Sequence, residues 1–280
     1  MDSTAPRRMQ IARGLDTLRK RAGLNQGEVA ERARVSAGTV SRYLDWRTTA
    51  KLRAVTVRAL AMACDGTPAE VDTLARLADD AAEGWWVGNS AVPGWLNPLF
   101  SLETEAAGES VFATSAVPGL LQTRAYAMAQ HLAQEVREDL DVIEPKVDAR
   151  IKRQAILDRT PPFHLWAVLD EAVLRRVVGS REVMADQIDH LRDLAGRPNI
   201  DVQILPFTAG AYSAVNGTFL MLGFEEAAVI YIEMPGGGTY LDQADDVARY
   251  GLAWDYVRSQ AADTAASMAM LTAASKEYRK

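Results

Sequence analysis

The sequence is poor in the residues that build metal centres and covalent frameworks: of 280 residues one is cysteine, Cys64, and three are histidine. A lone cysteine excludes an internal disulfide framework and a multi-cysteine zinc site, and it suits a reducing compartment. Its ordinary role is that of a small buried apolar residue. His131, His164 and His190 lie far apart and have no metal-ligand companions nearby, so no metal is expected. Long apolar runs are missing too. The segment around Val229 to Met234 falls far short of the roughly 18 residues needed to cross a bilayer. Arg13, Asp16 and Arg19 interrupt the stretch where a secretory leader would need its apolar core, so a cytoplasmic location without membrane contact is expected. No Gly-x-Ser-x-Gly elbow, His-Glu-x-x-His pair or Walker loop occurs, which leaves no catalytic residues and no cofactor to assign. Gly236-Gly237-Gly238 follows Pro235 and lacks the Gly-Lys-Ser/Thr ending of a phosphate loop, so it reads as a flexible turn.

What is present is an ordinary globular composition, 48% hydrophobic and 24% charged, in a chain long enough for two domains. The net charge of −6 hides a division: residues 1–58 carry thirteen Lys or Arg against five Asp or Glu, which is +8 and leaves −14 for residues 59–280. A basic head before an acidic body is the pattern expected when one part of a chain meets a polyanion.

Hydrophobic spacing divides the chain in the same way. From Arg7 to about Asp80 only helices are expected. Ile11, Leu15, Leu18 and Ala22 form one apolar stripe, ended by Gly23 at a left-handed position. Asn25 caps a second helix with Val29, Ala30 and Ala33, and Ser36 a third with Val40, Tyr43 and Leu44. A fourth runs from about Arg53 to Cys64, and Thr67-Pro68 with Glu70 opens a fifth as cap, first-turn proline and capping-box acid. Residues 81–98 mix three tryptophans with Gly and Pro and read as a packed connector. Beyond it strands are expected at Val111–Ala116, Phe163–Leu169, Asp201–Pro206, Thr218–Phe224 and Val229–Met234, the last two as a hairpin. Helices lie between them, the clearest capped by Ser180 and closed by Gly196. A long helix with Val247, Tyr250, Trp254, Val257 and Ala261 on one face follows. The fold expected is an all-α domain over 1–80 and an α+β domain with a mainly antiparallel sheet over 99–280.

Leu24 to Leu44 fits a helix-turn-helix residue by residue. Ala30 supplies the small contact where two steeply crossing helices touch, and Val35 the apolar plug in the turn. Val40 and Leu44 face inward. The outer face and N-terminus of the second helix, with Ser36, Ala37, Gly38, Thr39, Ser41 and Arg42, are left to enter a major groove. Arginine can take guanine bidentately, whereas Ala37 and Gly38 mainly permit close approach. Asn25 and Gln26 open the first helix, where free amides and the helix dipole suit a phosphate. Arg47 and Lys51 are further phosphate candidates.

The Leu-x-Gln-x-x-x-Ala and Val-Ser-x-x-Thr-Val-Ser-Arg cores of this stretch resemble the repressor-type, xenobiotic-response-element family of helix-turn-helix regulators. Arg34 stands where that family usually has glycine, at a cost of roughly 1 kcal/mol if left-handed, and Trp46 replaces the glycine after the recognition helix. Further on, Val117-Pro118-Gly119-Leu120-Leu121-Gln122-Thr123, Arg150-Ile151-Lys152-Arg153-Gln154, Val168 to Arg176, Pro198 to Phe207 and Gly210-Ala211-Tyr212 resemble the C-terminal domain of uncharacterised function found in actinobacterial, antitoxin-like regulators. The resemblance implies double-stranded DNA as partner and a small partner protein from a neighbouring gene; a homodimer is expected because one module offers little contact area, and control by a small-molecule effector is the rival to control by the partner protein.

Within that domain Asp170, Glu171 and Arg175 fall where a strand gives way to a helix, and Gln203, Phe207 and Tyr212 where another strand ends in a Gly-containing loop. Such places often hold ligands. The alternative is structural, with Asp170 as a cap and Glu171 and Arg175 as an i, i+4 pair. A different class of function makes the C-terminal part an enzymatic or toxin-like effector and the head its autoregulator.

Overall fold

A computed structural model describes residues 5–48, 52–79, 89–135, 138–212, 217–224, 228–235 and 237–280. They fall into two compact units, Met1–Glu105 and Ala106–Lys280.

The first unit is helical: α1 (Ala5–Arg21), α2 (Gln26–Ala33), α3 (Ala37–Leu44), α4 (Ala54–Ala63), α5 (Pro68–Asp79) and α6 (Asn97–Glu105). Its local signals act as read. Gly23 is left-handed with φ 70°, and the Leu24 and Gly23 amides donate to the Arg19 and Lys20 carbonyls, which closes α1 with a Schellman motif. Two further closures of this kind use residues other than glycine. Val35 donates to the Ala30 carbonyl and Arg34 to that of Glu31, with Arg34 itself at φ 54°, ψ 45°. Gly66 donates to Ala61 and Asp65 to Met62, with Asp65 at φ 56°. At the start of α5 the Thr67 hydroxyl oxygen and the Glu70 carboxylate bond each other's backbone amides. The stripes converge on one core of Ile11, Leu15, Leu18, Val29, Val40, Tyr43, Val57, Leu60 and Leu74, with Cys64 among them. Burial pushes the Cys64 thiol up, which makes it a poor nucleophile. Trp46 is buried as well. Of the connector read over 81–98, residues 81–88 lie outside the described residues. In the remainder Val92 is buried ahead of a short 3-10 turn, Gly94–Leu96, and α6 packs on α1.

The second unit is α+β. Its strands are β1 (Gly108–Ala113), β2 (His164–Asp170), β3 (Ile200–Leu205), β4 (Phe219–Gly223), β5 (Ala228–Met234) and β6 (Gly237–Leu241). They form one sheet in the order β3-β2-β1-β4-β5-β6. The two pairs β1–β2 and β2–β3 are parallel, and the three pairs made by β4, β5 and β6 are antiparallel. The helices α7 (Arg124–Gln134) and α8 (Leu140–Arg153) link β1 to β2. The next crossover, from β2 to β3, holds α9 (Ala172–Arg175) and α10 (Arg181–Leu194), and α11 (Ala244–Gln260) with α12 (Thr264–Tyr278) closes the chain. One face of the sheet, with Phe112, Val168, Leu205, Phe219 and Ile230, packs on Trp254 and Val257 of α11.

Two expectations are corrected. The first sheet strand starts at Gly108 rather than Val111, because a glycine allows the approach: a Cβ there would stand 2.3 Å from the His164 carbonyl oxygen of the paired strand. Gly237 and Gly238 are not a free turn. They open β6, paired with Met234 and Glu233. The reason is lateral: the buried Tyr231 ring lies where a side chain at Gly238 would be, 2.3 Å from a Cβ built there. An aromatic ring covering a strand glycine supplies the packing that glycine lacks.

Candidate nucleic-acid interface

The exposed face of α3 is set by its caps and by its core contacts. The Ser36 hydroxyl accepts from the Thr39 amide at 3.1 Å and shares a hydrogen bond with the Thr39 hydroxyl at 2.9 Å, so both side chains fix the helix start. Val40 and Tyr43 turn inward to 1% and 4% exposure. Ala37, Gly38, Ser41 and Arg42 are exposed and, at i, i+1, i+4 and i+5, share one face. Arg42 makes no side-chain hydrogen bond or ion pair among the described residues. Its guanidinium is free for an outside acceptor.

The flanking candidates differ in how committed they are. Asn25 and Glu28 form a reciprocal capping box: Oδ1 of Asn25 accepts from the Glu28 amide at 3.0 Å and Oε2 of Glu28 from the Asn25 amide at 2.7 Å. The Asn25 oxygen is therefore spent, and only its amide N–H groups are left to a phosphate. Gln26 is exposed in the first turn of α2. Arg47 is exposed but held by Asp45, Nε to Oδ1 at 2.8 Å, so a phosphate has to displace that carboxylate. Lys51 lies outside the described residues. The Tyr43 hydroxyl, accepting from the Arg53 amide at 2.9 Å, ties α3 to the chain entering α4.

The C-terminal candidates gather at the carboxyl ends of β2 and β3, with one exception. Asp170 is buried and accepts from the Ala172 amide at 2.8 Å. Burial, then the charge of Asp170, push the Tyr212 phenol up, and the Tyr212 ring packs edge-on against Phe112 at 5.2 Å. Glu171 accepts from the Phe207 amide at 3.0 Å and pairs with Arg175 at 3.0 Å, while Arg175 also reaches Glu277 at 2.8 Å. Phe207 is 58% exposed. These contacts cap α9 and pin the loop after β3, and they use most of the polar atoms involved. Gln203 is the exception: its Oε1 accepts from the Trp166 indole at 2.8 Å and its Nε2 donates to the Ala262 carbonyl at 2.9 Å, so its amide serves the α11 face.

Sequence reasoning missed a second polar group in this domain. Gln122, Gln130, Arg150 and Gln154 tie the Gly119–Leu121 turn to α7 and α8. The available signal was the presence of Gln122, Arg150 and Gln154, long polar residues, in segments that otherwise supply core. Among the described residues no cluster of His, Cys, Asp and Glu could hold a metal, and no helix is long and apolar enough to cross a membrane.

An exposed recognition helix with a free arginine, set across a capped helix in a compact bundle, defines a helix-turn-helix protein. Residues 10–74 match the family described as helix-turn-helix domain. Residues 96–273 match the family described as domain of unknown function DUF5753, and as that match covers more than half of the chain, the protein belongs to this family. No curated protein and no solved structure matches it.

Proposed function

We propose that the protein is a sequence-specific transcriptional regulator of the repressor-like, xenobiotic-response-element type, of actinobacterial kind, acting as a cytoplasmic homodimer on double-stranded DNA. The carrying observation is the α3 face of Ala37, Gly38, Ser41 and Arg42, exposed and with no side-chain partner among the described residues, in the part of the chain that holds the +8 charge. In this reading Arg42 reads a base and Thr39 and Ser41 support it. Ser36, Asn25, Gln26, Arg47 and Lys51 address phosphates, and Ala37 and Gly38 let the helix approach. The C-terminal domain is a regulatory module rather than an enzyme. It dimerises the chain and receives a small-molecule effector or a small partner protein, with Asp170, Glu171, Arg175, Phe207 and Tyr212 as the candidate receiving edge.

The test is selection of bound sequences from a random DNA pool by the full chain, followed by footprinting and a salt titration. The expected result is a two-fold symmetric site with half-sites about 10 base pairs apart, or a multiple of that, and an affinity that falls steeply with salt. Binding with no salt dependence, or no enrichment of any sequence, refutes it.

A further inference from the structure

In the C-terminal domain most buried or half-buried cations have a counter-charge. Lys146, Arg192, Arg197 and Arg258, all half-buried, each meet a carboxylate. Arg150, half-buried on α8, does not. It donates from Nη1 alone, to Oε1 of Gln122 at 2.9 Å and Oε1 of Gln130 at 3.1 Å, both neutral amides. Gln122 is held by its Nε2, which donates to the Val117 carbonyl at 2.6 Å and to Oε1 of Gln130 at 2.6 Å. The network thus turns two amide oxygens to one nitrogen of the guanidinium. Among the described residues Nε and Nη2 have no hydrogen-bond partner, and neither is sealed from solvent.

The nearby acids do not fill the gap. Glu135 is committed to Nδ1 of His131 at 2.8 Å and to Lys146, and Glu233 acts on Arg150 through space only. His131 is held below the usual imidazole range by burial and by the Arg150 charge, so its ring adds no charge at neutral pH. Arg153 lies alongside. A Cβ built at Gly119 would stand 3.6 Å from Nη1 of Arg153 and 3.8 Å from Cδ of Arg150, so the two arginines flank a residue with no side chain. A partly desolvated cation matched only by neutral acceptors is costly to a fold. That cost is recovered when a ligand brings the missing charge, and a guanidinium fork with two free nitrogens suits a bidentate oxyanion.

We propose that Arg150, set by Gln122 and Gln130 beside Gly119, is the receiving group for the oxyanion of a small effector, a carboxylate or a phosphate. This deepens the reading of the domain as regulatory and rests on it. The site is separate from the Asp170 edge, where Asp170 is buried and Glu171 is already paired with Arg175.

The experiment is thermal denaturation of the full chain with inorganic phosphate and, in a second arm, acetate, each at an ionic strength fixed by chloride. The favoured anion should raise Tm saturably, by about 3 to 5 °C at ten times its dissociation constant. Which arm responds separates phosphate from carboxylate. Arg150→Gln, with unchanged circular dichroism, should abolish the response. Gly119→Asp supplies a carboxylate in place and covers the case in which Arg150→Gln fails to fold: it should raise Tm without added anion and remove the response. No saturable rise in either arm overturns the proposal, as does a rise that persists in Arg150→Gln or in Gly119→Asp. DNA affinity measured in parallel keeps the two readings apart. Arg150-dependent anion binding with unchanged DNA affinity leaves the site standing and removes the regulatory role. An effector that shifts DNA affinity equally in wild type and Arg150→Gln leaves the regulatory role and removes this site.

Discussion

Replacing Arg42 by alanine separates folding from DNA reading at one position. The side chain is exposed and has no partner among the described residues, and Ala and Arg are both good helix formers, so stability should change by less than about 0.5 kcal/mol. The packing of α3 rests on Val40 and Tyr43, at 1% and 4% exposure, and the substitution leaves them in place. If Arg42 takes a guanine bidentately, each half-site loses about 1 to 3 kcal/mol, a factor of about 5 to 150, and preference relaxes at one base position. A phosphate contact has a different signature. Affinity would then fall about equally on all sequences, and the salt slope would flatten by about 0.9 per contact. Arg47→Ala is the comparison, because Arg47 must leave Asp45 before it meets a phosphate, and an exposed pair of that kind is worth under about 1 kcal/mol. Fluorescence anisotropy on the selected site and on single-base variants, at two salt concentrations, reads both effects. A folded Arg42→Ala protein that binds its site with unaltered affinity and specificity would remove Arg42 from the interface and with it the proposed register of α3.

Arg34→Gly should stabilise the helical unit by about 0.5 to 1 kcal/mol, since a left-handed non-glycine residue costs about 1 to 2 kcal/mol and glycine returns part of that gain as unfolded-chain entropy; a fall in Tm would mean the Arg34 side chain holds the turn. The Glu70 carboxylate is lowered to about 2, first by its hydrogen bond from Arg21 and then by Thr67, so its contribution should be full above about pH 4.5 and lost as pH falls towards 2. Glu70→Gln should accordingly remove that part of the acid dependence, and an acid-denaturation curve unchanged by the substitution would contradict it. Gly238→Ala should cost about 1 to 3 kcal/mol by urea denaturation, because its Cβ meets a Tyr231 ring that is itself only 2% exposed; a neutral result would show that the ring swings away freely.

Helices α1 to α5 were legible in the sequence because their determinants are local, whereas α6 was not read. Gly23, Asn25, Ser36 and the Thr67/Glu70 pair act within one helical turn, and the i, i+3, i+4 stripes state which face is buried. The resemblance put Arg34 where the family usually has glycine, and its φ of 54° is indeed left-handed. Strand positions in the second unit were also legible, as runs of β-branched and aromatic residues. Their partners were not. Nothing in the residues of β1 states that it lies between parallel β2 and antiparallel β4, since backbone ladders are indifferent to side-chain identity. β6 was lost to the turn signal of its glycines, because the Tyr231 ring that makes Gly238 a strand residue comes from seven positions earlier and from the neighbouring strand. The candidate edge at Asp170 could be placed from local order, but whether each polar atom was free could not. Gln203 is taken by Trp166 and Ala262, whereas Arg150, which the sequence offered only as part of a family motif, keeps two nitrogens without a partner among the described residues. Local conformation follows from the few residues around it, while the state of a buried charge depends on what distant segments bring within about 3 Å of it, and that only the tertiary structure decides.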